Sequence, residues 1–151
     1  MLENEPTDQA FAKAQDVLRR VVHGKGFKAS ANVGGYHQIW MRDTAISMIG
    51  LLDFDEFVEP ARRSLLTIGR AQGSMGWIPN NYDTAVGEAT RRGPDGYGNC
   101  SWFVIGHGLL FRKTKDLEFL RAEWPAIAKA LQWLEFHESS QELLYMCEAG
   151  D

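Results

Sequence analysis

Tyr36, Trp40, Arg42 and Asp43 stand close together in the stretch Tyr36-His37-Gln38-Ile39-Trp40-Met41-Arg42-Asp43-Thr44-Ala45-Ile46. Two aromatic rings, a guanidinium and a carboxylate at the mouth of an apolar run suit a polyhydroxylated ligand. Flat sugar faces stack on indole and phenol rings, and vicinal hydroxyls fork between a guanidinium and a carboxylate. Each piece also has a structural reading. Asp43 ahead of Thr44-Ala45-Ile46 makes a good helix N-cap, Arg42 its surface partner, and Trp40 a core residue. Capping requires neither Trp40 nor Arg42, so the cluster as a whole favours a ligand.

Other polar residues divide the same way. His37 is either a sugar contact or a solvated loop histidine. Asn80, Asn81 and Asp83 can reach a pocket or simply form turns. His107, set among apolar residues, reads as a satisfied core histidine rather than a catalyst. Arg91-Arg92 reads as a solvated pair with Glu88 as partner.

The elements that must hold these groups are helical. Thr7 caps a helix over residues 7–23 behind a disordered tail over 1–6, with Phe11, Ala14, Val17, Leu18, Val21 and Val22 on one face and Gly24 as a left-handed C-cap. Residues 25–38 read as loop or short strands. The helix over 43–52 has almost no polar face and must be buried on all sides. An amphipathic helix over 56–72 turns Phe57, Val58, Ala61, Leu65 and Ile68 inward. The loop over 73–98 is long enough to be functional. An apolar helix over 102–111 follows, with Gly106 and Gly108 allowing a close neighbour. A last amphipathic helix over 116–136 buries Leu120, Trp124, Ile127, Leu131 and Leu134, is anchored by Leu117 and Phe119, and breaks or kinks near Pro125. Residues 138–151 read as loop or hairpin. Apolar helices alternating with amphipathic ones predict an all-α fold of about five helices in two concentric layers, part of an α/α toroid with functional loops at the ends of the inner helices.

Composition excludes other classes. A length of 151 residues with 44% hydrophobic and 24% charged residues suits one globular domain. A net charge of −4, with basic residues no denser than adjacent pairs, argues against nucleic acid as partner. No run of about 18 apolar residues predicts a membrane span. Met1-Leu2-Glu3-Asn4-Glu5-Pro6 lacks the apolar core of a secretory signal. Cys100 and Cys147 are too few and too widely spaced for a zinc site or a disulfide scaffold and read as buried thiols in a reducing compartment. The expectation is a cytoplasmic protein needing neither cofactor nor metal.

Three stretches, in order, resemble the six-hairpin glycosidases, which include glucoamylases, the amylo-1,6-glucosidase part of glycogen-debranching enzymes, and neutral invertases. Ile39-Trp40-Met41-Arg42-Asp43-Thr44-Ala45-Ile46 is similar to their tryptophan, arginine-aspartate signature. Gly76-Trp77-Ile78-Pro79-Asn80 resembles a Gly-x-Ile-Pro-Asn loop of debranching-type members. Trp102-Phe103, followed by Asp116-Leu117-Glu118-Phe119-Leu120 and Trp124-Pro125, resembles a paired inner and outer helix.

The resemblance implies a barrel of six helical hairpins, of which this chain offers the N-terminal part over residues 7–151. It implies an oligosaccharide or polysaccharide substrate. Asp43 would accept hydrogen bonds from ring hydroxyls, Arg42 would donate them, and Trp40 and Tyr36 would supply stacking walls. Trp77, Asn80 and Asn99 would join the substrate-binding surface. The stretch Tyr97-Gly98-Asn99-Cys100-Ser101 departs from the family pattern, which carries an Asp there. Asn99 can still bond a sugar, and Asp95 lies near enough to substitute.

Inverting members need an acid and a base, held roughly 6.5–9.5 Å apart. The resemblance places the acid in a loop beginning at Glu148-Ala149-Gly150-Asp151, so Glu148 and Asp151 are the catalytic candidates, and the base lies outside this chain. The leading expectation is a fragment of a glucan hydrolase whose missing half or a second copy completes the barrel. The alternatives are a non-catalytic sugar-binding half and a toroid enzyme of other sugar chemistry, such as a phosphorylase, an epimerase or a lyase.

Overall fold

The computed structural model describes residues 5–32, 34, 36–89 and 97–136. Five α-helices dominate: α1 (Glu5–Val21), α2 (Met41–Leu51), α3 (Val58–Gly69), α4 (Tyr97–Thr114) and α5 (Leu117–Phe136), with a 3₁₀ turn at Asp55–Phe57 ahead of α3. The fold is mostly α, as expected. Two small antiparallel sheets lie in the connections. One is the hairpin β1 (Val22–His23) with β2 (Gly26–Phe27); the other has three strands in the order β3 (Gln38–Trp40), β4 (Asn81–Asp83), β5 (Glu88–Ala89).

The core lies between α2, α3 and α4. Met41, Ala45 and Met48 of α2 meet Leu65 and Ile68 of α3 and Phe103 and Leu110 of α4, all essentially inaccessible. Burial of this kind is the main stabilising term for helices too short to persist alone. Gly106 permits the close packing: a Cβ there would lie 2.9 Å from Leu65 Cδ2 and within 4 Å of Met48 and Ala45. Gly108 has no such neighbour, so the close approach expected of both glycines belongs to Gly106 alone.

The two apolar helices run in the same direction. Asn99 in the first turn of α4 reaches Asn80, whose carbonyl accepts from the Met41 amide at the start of α2. Further along, Gly106 faces Ala45 and Met48. Each is followed by a helix that packs back on it, α3 on α2 and α5 on α4.

Several expectations change. The helix expected to be buried on all sides is buried on one: Ile46 and Ile49 are 46% and 63% exposed, because the helices packed on α2 cover only the opposite face. On α1, Phe11 and Val17 likewise stay exposed, and only Val21 is fully buried. Gly24 does not end α1 in a left-handed cap. The chain passes directly into the β1–β2 hairpin, and the positive φ falls at Gly26 (134°). A Cβ at Gly26 would lie 2.2 Å from Ser64 Oγ, the hydroxyl that accepts from Phe27 N at 2.9 Å. The hairpin is therefore clamped onto α3.

Helix α5 runs unbroken through Pro125. Proline frees the carbonyl of Arg121, and both residues are on the solvent side, where water can satisfy that group. This orientation also puts Trp124, Leu131 and Leu117 outside, against expectation, while Ile127 and Ala130 face in. Residues 138–151 lie outside the described residues.

Candidate functional site

Strand β3 delivers the chain to α2. Its alternation buries Ile39 and leaves Gln38 and Trp40 half-buried, as a two-residue period requires. The ladder pairs Trp40 with Asn81. The Met41 amide donates to the Asn80 carbonyl at 2.9 Å.

These bonds fix where α2 begins. The N-cap residue is Trp40, in extended conformation and with no side-chain capping bond. Asp43 is therefore not the cap; it lies inside the first turn. The sheet already satisfies the Met41 amide, so the helix starts two residues ahead of Asp43. Its carboxylate stands about 60% exposed, with Arg42 Nε 3.9 Å away, too far for a hydrogen bond. The partial positive charge of a helix N-terminus favours a carboxylate there.

Trp40 and Asp43 line one cleft of about 230 Å³ between α1 and α2. Thr44, Ser47 and Lys28 add polar groups, and Val17, Leu18, Val21, Phe27 and Leu51 form the apolar lining. Thr44 and Ser47 were absent from the sequence expectation. The signal was available, because Ser47 lies four residues after Asp43 on the same helical face. Lys28 comes from beyond the β1–β2 hairpin, and no local pattern points to it.

Asn80 and Asn99 are brought together at the starts of α2 and α4, outside the lining of this cleft. Asn99 is buried, and its amide nitrogen lies 3.4 Å from Asn80 Oδ1. With the Asn80 carbonyl on Met41, the pair joins the starts of α2 and α4. Tyr36 precedes β3, is 67% exposed, and does not line the cleft. Trp77 is not brought there either. It lines a separate cavity between the end of α3 and the β4–β5 hairpin. Glu148, Asp151, Asp95, Arg91 and Arg92 lie outside the described residues.

Asp83, His107 and Cys100 are engaged structurally. Backbone N–H groups, chiefly that of Ala85, and the Gln38 amide hold the Asp83 carboxyl below its ordinary range. His107 is buried against Phe103 and stacked on Phe119, with Nδ1 2.8 Å from the Phe103 carbonyl. Nδ1 is then the protonated nitrogen, since the carbonyl only accepts. Burial pushes its pKa down to about 4, so it is neutral at pH 7. It is a core histidine as expected, but a half-satisfied one: its buried Nε2 meets no hydrogen-bond partner among the described residues. Cys100 is likewise buried, its thiol pushed up to about 11 by loss of solvation; Cys147 lies outside the described residues. Among the described residues no three His, Cys, Asp or Glu side chains converge as a metal site would require. No described helix is long and apolar enough to cross a membrane.

Comparison with known proteins adds one finding. A family model described as amylo-alpha-1,6-glucosidase matches residues 10–139, which include both the α2 start and the Asn80–Asn99 pair. No curated protein and no solved structure matches the chain significantly.

Proposed function

The chain belongs to the amylo-alpha-1,6-glucosidase family, a family of glucan-processing glycosidases, and from that premise we propose that the start of α2 is the wall gripping the terminal sugar of a glucan. The observation that carries this reading is the state of Asp43. It sits at a helix start without capping it, and its one polar contact among the described residues is the loose approach of Arg42. A solvated carboxylate beside a solvated guanidinium is poised to exchange water for vicinal hydroxyls. Trp40 supplies the stacking face in the same cleft, and the two asparagines fix the neighbouring backbone.

The chemistry is hydrolysis with inversion, by an acid and a base on opposite sides of the scissile bond. Asp43 holds substrate and does not cut. Glu148 or Asp151 supplies the acid, and another carboxylate the base. The two consecutive pairs α2–α3 and α4–α5 are hairpins of a toroid. The parallel inner helices and the exposed Ile46 and Ile49 support this, since further inner helices would cover that flank.

The test is Asp43→Asn in the intact protein. Binding and turnover of a branched α-glucan should be lost, with the melting temperature unchanged within about a degree, as for an exposed surface substitution. Unimpaired glucan binding would sink the proposal, as would a fall in stability large enough to account for the loss.

A further inference from the structure

We propose that the cavity between the end of α3 and the β4–β5 hairpin is a second glucan-binding subsite, separate from the cleft that contains Trp40 and Asp43. Its volume is about 470 Å³ and its lining includes Gln72, Gly73, Trp77, Tyr82 and Glu88. That is the size of a small-molecule site, and it shares no lining residue with the first cleft.

Two aromatic rings are held in place without a ligand. The Gly73 amide donates to the Trp77 carbonyl at 3.0 Å, closing the loop that carries the indole. The indole packs so tightly on Gly73 that a Cβ there would lie 2.0 Å from Nε1. Only glycine admits that contact. The Tyr82 hydroxyl donates to the Gly87 carbonyl at 2.6 Å and accepts from Lys25 Nζ at 2.5 Å. Fixed rings lose little entropy on stacking against a sugar face.

The polar groups select the ligand class. Both N–H bonds of the Gln72 amide are engaged, by the Gly76 and Ala126 carbonyls at 2.9 Å each. Gln72 therefore offers a ligand its carbonyl oxygen. Glu88 adds an exposed carboxylate. The lining contains two acceptors and no Lys or Arg; Lys25 stands behind it, engaged on the hydroxyl and one face of the Tyr82 ring, so the lining suits a hydroxyl-rich neutral sugar. The lining therefore fits an internal stretch of glucan, held while a chain end occupies the first cleft. Two linked sites raise the apparent affinity for long chains above that for short ones.

This inference rests on the glucan reading of the family, and the experiment separates the two. The intact protein is titrated with maltoheptaose and with maltose, following tryptophan fluorescence and calorimetry, for wild type, Trp77→Ala, Glu88→Gln and Asp43→Asn. Trp77→Ala should weaken maltoheptaose binding about tenfold, the scale of one lost stacking contact with its buried area. Maltose affinity should hold. Glu88→Gln, an exposed change that leaves folding intact, should weaken maltoheptaose by a smaller factor, and Trp77→Phe should restore most of what Trp77→Ala loses. Wild-type maltoheptaose affinity in both Trp77→Ala and Glu88→Gln overturns the second subsite, whatever Asp43→Asn does. Loss in those variants with full binding by Asp43→Asn overturns the first cleft and leaves the second standing. Absence of binding by the wild type overturns both.

Discussion

The starts of α2 and α5 place an aspartate at similar positions in sequence and use it differently. Asp116, just ahead of α5, accepts from the Phe119 amide at 2.9 Å and from Arg62 at 2.9 Å. Arg62 also lies 4.3 Å over the Phe119 ring, which stacks on His107. Asp43, inside the first turn of α2, caps nothing. One aspartate is fully employed in holding two hairpins together; the other is left to solvent. The difference comes from what precedes each helix. Before α5 a two-residue turn, with Lys115 at φ 56°, leaves free amides for Asp116 to satisfy. Before α2 the chain next to the sheet has already satisfied the Met41 amide, so the helix begins ahead of Asp43.

If this contrast is right, damage behind α5 should unfold the protein and damage at α2 should not. The largest effect is expected for Phe103→Ala, which empties a fully buried site against Gly69 and His107. Chemical denaturation should show a loss of about 3–5 kcal/mol. A loss below about 1 kcal/mol would mean that this side is loosely packed.

Acid should act through His107. Its pKa falls from 6.5 to about 4 on folding, so between those values the unfolded chain holds a proton that the folded one lacks. Stability must then fall as pH falls through that window, by about 3 kcal/mol. His107→Leu should flatten this slope in denaturant titrations at successive pH values. An unchanged slope would show that His107 is protonated in the fold.

Asp116→Ala should lower the melting temperature by a few degrees, through loss of the cap and the Arg62 bridge. The Phe119 amide, then Arg62, depress its carboxyl pKa. Its contribution is present above the ordinary carboxylate range and lost as pH falls through the depressed value. The gap between wild type and Asp116→Ala should therefore close in strong acid. A gap that persists there would assign the effect to something other than charge.

The smallest structural effect is expected for Arg42→Ala, since both partners of its one loose contact are mostly exposed. Melting should not change detectably while glucan affinity drops. A fall in melting temperature comparable to that of Asp116→Ala would erase the contrast between the two helix starts.

Much of the α2 start was legible locally. The apolar run marked the helix, and the order of the motifs from Trp40-Met41-Arg42-Asp43 onward marked the family. The cap, the structural alternative for Asp43, fails because the helix starts earlier, where the Met41 amide is satisfied by the Asn80 carbonyl, about forty residues away in sequence and invisible to any local rule. Trp77 was grouped with Trp40 on motif order alone. Motif order does not show which cavity a ring lines.

Sequence by itself determined where helices form and the residue types able to hold a sugar, because periodicity and side-chain chemistry are local properties; which apolar residues of each helix are covered was decided by its neighbours. Tertiary structure alone decided which of those residues share a cleft, which aspartate stays unengaged, and that Pro125 sits where its helix can continue. Those outcomes depend on hydrogen-bond partners and solvent exposure supplied by distant parts of the chain.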